Sequence, residues 1–126
     1  MKEQLKSKER KDAKRELIIK AAIHVFGQKG FHSAKIQDIA DFASVGKGTV
    51  YEYFSTKDEL FLAVYDKWMD EFEARMTASA DEHTNPVSKA DALIDTAIDF
   101  YETHAQYAAI LLEFWAHALR SEDPHF

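Results

Sequence analysis

Apolar positions recur at helical spacing along almost the whole chain. From Glu16 to Gln28 they fall as Leu17/Ile18, Ala21/Ala22 and Val25/Phe26, the i, i+4 stripe of an amphipathic helix. Gly30 is placed to end that helix as a C-cap, with Phe31 packing just beyond. A second stripe, Ile36, Ile39, Ala40 and Ala43, predicts a short helix over about 35–43, with Ser33 as its nearer cap. Ser44-Val45-Gly46 breaks the pattern, and Val50 and Phe54 then share one face of a third helix over 47–54. Thr56 with Glu59 three residues later forms a capping-box signature, Ser55 with Asp58 being the other frame. The helix it opens carries Leu60, Val64, Trp68, Phe72 and Met76 as an unbroken ladder. Residues 77–87 are small, polar and proline-containing, and read as a connection. Ser88-x-x-Asp91 then restarts a helix with Leu93/Ile94, Ala97/Ile98 and Tyr101 on its buried side and Asp91, Asp95, Asp99 and Glu102 facing water. The period resets near His104-Ala105, and Tyr107, Ile110/Leu111, Phe114/Trp115 and Ala118 mark a last helix. The expected fold class is all-α.

The third helix is the informative one. With Val50 and Phe54 turned inward, Lys47, Gly48, Thr49, Tyr51 and Tyr53 remain on its other faces. They offer a cation, a position with no side chain, a hydroxyl and two phenols, a set suited to phosphate oxygens and base edges. Short helix, tight turn, short helix is the spacing of a helix-turn-helix over about 35–54, with Val45 plugging the gap between the two. His24 and His32 read as partly exposed spacers rather than ligands.

Charge supports this reading. The net charge of −6 divides unevenly: residues 1–57 carry +5 and residues 58–126 carry −11. A basic first part joined to an acidic remainder points to a polyanion partner for one part only. Residues 1–15 hold Lys2, Lys6, Lys8, Arg10, Lys11, Lys14 and Arg15, which predicts a mobile basic arm or the frayed start of a helix. The absence of cysteine excludes disulfides, thiolate metal sites and cysteine nucleophiles. No signal peptide is evident, and the longest apolar run, Ala108–Leu112, is too short to span a bilayer, so a cytoplasmic, nucleoid-associated protein with no membrane partner is expected.

Gly30-Phe31, Asp38-Ile39-Ala40, Val45-x-Lys47-Gly48-Thr49-Val50-Tyr51-x-Tyr53-Phe54 and Lys57-Asp58-Glu59-Leu60 together resemble the tetracycline-repressor family of bacterial transcription regulators. The likeness runs from about Ile18 to Leu62 and departs at two places. Serine stands at position 44, where the family usually has glycine, and glycine at 46, where it usually has serine or threonine. Ser44 must then adopt the left-handed turn, or the turn shifts by a residue. Ala34 likewise replaces a usual threonine. The resemblance implies a basic arm (1–15), a DNA-binding unit (16–62) and the start of a helical regulatory domain (63–126). It implies a regulator, most often a repressor, that binds double-stranded operator DNA and is released by a small-molecule effector. DNA contacts are expected of Lys35, Gln37, Lys47, Gly48, Thr49, Tyr51, Tyr53 and Lys57, with Gln37 reading a base edge, and the resemblance assigns Lys57 to a phosphate. Relatives dimerise through C-terminal helices absent from this chain, so a homodimer is expected through segments not seen here, spanning half-sites about 34–36 Å apart or a multiple.

In the acidic part, Phe100, Tyr101, Tyr107, Phe114 and Trp115 either line a ligand pocket or pack as ordinary core. Glu113 and His117, four apart, lack a third ligand at suitable spacing, so no metal is expected. No cofactor motif, nucleophile–base pair or phosphate loop can be picked out, and an enzyme is not expected. The remaining alternative is a helical adaptor whose basic face binds an acidic protein.

Overall fold

The first helix extends well beyond its apolar stripe. In the computed structural model, which describes residues 1–105 and 108–120, α1 runs Lys2–Ser33. The basic residues expected as an arm are its first, fully exposed turns, in a stretch rich in Lys and Glu and free of Gly and Pro. Gly30 does not end the helix but kinks it, at φ 79° and ψ 172°, before a further turn through Ser33. That conformation is cheap only without a Cβ.

α2 spans Ile36–Ala43 and α3 spans Lys47–Tyr53. The cap expected from Ser33 is not made, because Ser33 closes α1 and Lys35 stands at the N-cap of α2. Asp38 serves that end instead, its Oδ2 accepting from the Lys35 N–H at 3.0 Å. Between the helices Ser44 takes the left-handed conformation, φ 57° and ψ 42°. The Ser44 and Val45 amides donate back to Asp41 and Ala40, at 3.2 and 3.0 Å, which closes α2. Gly46 opens α3 in extended backbone with no side chain to cap it.

α4 spans Lys57–Asp81. Thr56 Oγ1 accepts from the Glu59 N–H at 3.1 Å, and Glu59 reaches back to the Ser55 N–H at 2.9 Å. The connection after it is shorter than the composition of 77–87 indicates, since α4 continues to Asp81 and α5 begins at Pro86. Asn85 caps α5, accepting from the Val87 and Ser88 amides, and Pro86 stands at the start, where no N–H is needed. α5 spans Pro86–Thr103 and α6 spans Ala108–Arg120.

One apolar core joins α1, α2, α3, α4 and α6. Ile18, Phe26, Phe31, Ile39, Val50, Phe54, Leu60, Phe61 and Val64 are buried together with Ile110, Phe114 and Ala118 of α6. Phe61 is its hub, edge-on to Phe26 at 5.3 Å and to Phe31 at 5.5 Å, and stacked on Phe114 at 4.2 Å. The core of the helix-turn-helix unit therefore includes α6. α5 packs along α4 but is turned from the expected face: Ile94, Ile98 and Tyr101 are exposed. Burial follows Phe100, whose ring meets Phe72 edge-on at 5.1 Å and stacks on His104 at 4.1 Å. Leu93 and Ala97, on the same side, are half-buried.

Candidate nucleic-acid interface

α3 rests on two buried side chains, Val50 at 0% exposure and Phe54 at 2%. Its other surface is open. Lys47, Gly48 and Tyr51 are exposed, while Thr49 and Tyr53 are half-buried, Tyr53 packing against the core edge. A Cβ added at Gly48 would meet no atom within 4 Å, so nothing in the chain itself requires glycine there. The bare backbone is available to whatever lies against the helix. Lys35 and Gln37, at the start of α2, are exposed on the same unit. The Gln37 amide donates to Asp41 Oδ1 at 2.8 Å, an i, i+4 bond that holds the side chain along its own helix. Arg15 places its guanidinium 5.2 Å from the centre of the Phe54 ring, bringing the basic end of α1 beside the C-terminus of α3.

Lys57 differs from the other candidates. Its ammonium donates to the carbonyls of Phe31, His32 and Ala34, at 2.7, 3.2 and 3.2 Å, and lies 4.6 Å from the centre of the Phe31 ring. An ammonium has three N–H donors, and all three have acceptors here. Burial pushes its pKa below the usual lysine value, opposed by the Asp58 and Glu113 carboxylates. The phosphate contact expected of Lys57 conflicts with this geometry, because the side chain closes the end of α1.

The acidic part holds an apolar cavity of about 380 Å³ between α4, α5 and α6, lined by Trp68, Phe72, Phe100, Tyr101, His104 and Leu111 among others. Phe100 and Tyr101 are thus brought together there. Phe114 is instead in the core against Phe61, and Trp115 meets Tyr65 edge-on at 5.7 Å. Tyr107 lies outside the described residues. The sequence reading missed Trp68, Phe72, His104 and Leu111 as lining residues, although Trp68 and Phe72 were visible as consecutive rungs of the α4 ladder. Glu113 and His117 reach separate partners, and no group of three or more His, Asp or Glu among the described residues could hold a metal.

Residues 18–64 match the family described as bacterial regulatory proteins, tetR family. The chain belongs to that family. Among its relatives, the transcriptional activator FasR of Mycolicibacterium smegmatis is 31% identical over 103 residues, covering 82% of this chain and 47% of that protein. The transcriptional repressor NicS of Pseudomonas putida is 28% identical, covering 89% of this chain and 55% of its own. A solved structure, the fatty acid degradation regulator FadR of Bacillus halodurans, superposes with a TM-score of 0.68 at 25% identity, over 86% of this chain and 56% of that one. The chain spans about half the length of these tetR-family relatives. No described helix is long and apolar enough to cross a membrane.

Proposed function

We propose that this tetR-family chain is a sequence-specific, DNA-binding transcription regulator, a repressor released by a small apolar effector. The observation that carries the reading is the open face of α3: Lys47, Gly48 and Tyr51 are exposed on a helix pinned from behind by Val50 and Phe54. Lys47, Thr49, Tyr51 and Tyr53 supply the phosphate-dominated grip, and Gly48 permits close approach of the backbone. Lys35 adds a cation at the start of α2. Gln37 reads a base edge after exchanging its bond to Asp41 for one in the groove, adenine being the matching partner. Lys57 supports this surface from beneath.

The effector proposed for the cavity is an elongated apolar molecule with few polar groups, such as an acyl chain. Its support is the aromatic and aliphatic lining, with His104 as a polar side chain at the wall, and the likeness to a protein named as a regulator of fatty acid degradation. Two copies of the protein, working in the cytoplasm, bind two half-sites.

Selection of bound sequences from random duplex DNA tests the reading. The expected result is an enriched motif with two-fold symmetry, whose binding weakens when acyl compounds are added. Retention of DNA without any enriched motif would overturn sequence-specific regulation, and acyl compounds without effect would overturn the effector class.

A further inference from the structure

The contact between α6 and the corner where α1 gives way to α2 is polar as well as apolar. Glu113 Oε1 accepts the backbone N–H of His32 at 2.6 Å and lies 3.8 Å from the His32 imidazole Nε2. Its other oxygen is 3.0 Å from where a Cβ on Gly30 would be, so a side chain at Gly30 would push it away. One turn further along α6, His117 Nε2 stands 3.2 Å from both carboxylate oxygens of Asp58, at the start of α4. The two imidazoles meet edge to face at 5.8 Å. Residues 30–34 are therefore held from two sides, by Glu113 of α6 and by Lys57 of α4. From this corner the chain passes directly to Lys35 and Gln37.

We propose that Glu113 is the positioning residue through which α6 sets this corner, and that His32 and His117 make its hold stronger on acidification. The proposal rests on the DNA-reading role of α2 and α3. Lys29 of α1 pairs with Asp38 at 3.2 Å, and Arg120 of α6 donates to the Ala116 carbonyl. Lys35, Lys57 and Arg120 are positively charged, while each imidazole faces one carboxylate, Glu113 for His32 and Asp58 for His117. A proton on either imidazole makes that contact an ion pair. Protons on both rings, 5.8 Å apart, repel each other, which limits the gain from the second. Histidine is the side chain whose charge ordinarily changes between about pH 5 and 8.

Residue-resolved amide exchange on the chain, compared at pH 8 and pH 6 as protection factors, tests both halves. The His32 amide is expected to gain about two- to five-fold in protection on acidification, the range of a partly exposed ion pair. Glu113→Ala should lower that protection at least about tenfold at both pH values, while the Ile39 amide of α2 stays protected. Glu113→Gln, whose amide oxygen can still accept, should keep protection at pH 8 and show no rise at pH 6. This variant keeps the test decisive if the alanine substitution unfolds the chain. Unchanged His32 protection in Glu113→Ala would overturn the positioning role. A rise that persists in the His32→Gln/His117→Gln double variant would overturn the role of the histidines. No DNA enters the measurement, so its outcome is independent of whether an operator is found.

Discussion

Lys57 shows how one side chain can serve the fold where its position beside a helix N-terminus also suits an anion. Its three carbonyl acceptors belong to the turn after Gly30. Replacing it by methionine keeps most of the stem but removes the donors, leaving part-buried carbonyls unpaired. The expected loss is about 1–3 kcal/mol in urea unfolding, with little change in the salt slope of DNA binding. A slope reduced by about one unit with stability intact would return Lys57 to the phosphate contacts. Asp38 supplies a second test at this scale. Its carboxyl is held below the ordinary value of 3.8, first by the Lys35 N–H and then by the Lys29 side chain. A depressed carboxyl stabilises the fold above its unfolded pKa, and that contribution is lost as pH falls through the folded value. Stability should therefore drop more steeply below about pH 4 in the native chain than in Asp38→Asn, as read by thermal melts across pH. The Lys57 role was not legible in the sequence, because it depends on which carbonyls the kink at Gly30 brings within reach. The Asp38 bond, by contrast, is local and was hidden only because Lys35 is not an obvious cap.

At the scale of helices, the sequence pattern was most informative where an element has a single buried stripe. Val50 and Phe54 fixed the inner face of α3, and Thr56 with Glu59 fixed the start of α4; both stand as the spacing indicates. The pattern was least informative for α5, where apolar residues ring more than half the helix and periodicity cannot choose among them. Phe100 decides the matter by meeting Phe72, a contact between helices that no local pattern encodes. The composition of 77–87 misled for a related reason: small polar residues continue a helix when its other side is packed. Ser79 Oγ donates to the Ala92 carbonyl and accepts from the Thr96 hydroxyl, tying the last turns of α4 to α5. On α3, Tyr51→Ala should weaken operator binding by about 1–3 kcal/mol without changing the melting temperature, because its ring is exposed. Equal affinity of the two proteins by fluorescence anisotropy would remove Tyr51 from the interface.

The charge division in the sequence becomes a spatial one in the whole molecule. The first turns of α1 carry seven of the basic residues and are exposed throughout, and Arg15 joins them to the end of α3 through the Phe54 ring. A helix, rather than a loose arm, holds these cations at fixed spacing, so on the proposed reading they would meet DNA as one stiff positive rod whose base sits beside α3. Such a rod contributes through phosphates, which carry no sequence information. Changing Lys6, Arg10, Lys11 and Lys14 together to glutamine should thus lower affinity for specific and random duplexes by the same factor. It should also flatten the salt dependence by up to about four units of slope, while leaving the preferred sequence unchanged. Glutamine keeps the helical tendency, so circular dichroism should show the same helix content and the effect can be read as charge. A salt slope identical to that of the native chain would mean that the helix points away from the duplex. DNA contact would then be confined to the two short helices and the exposed side chains they carry.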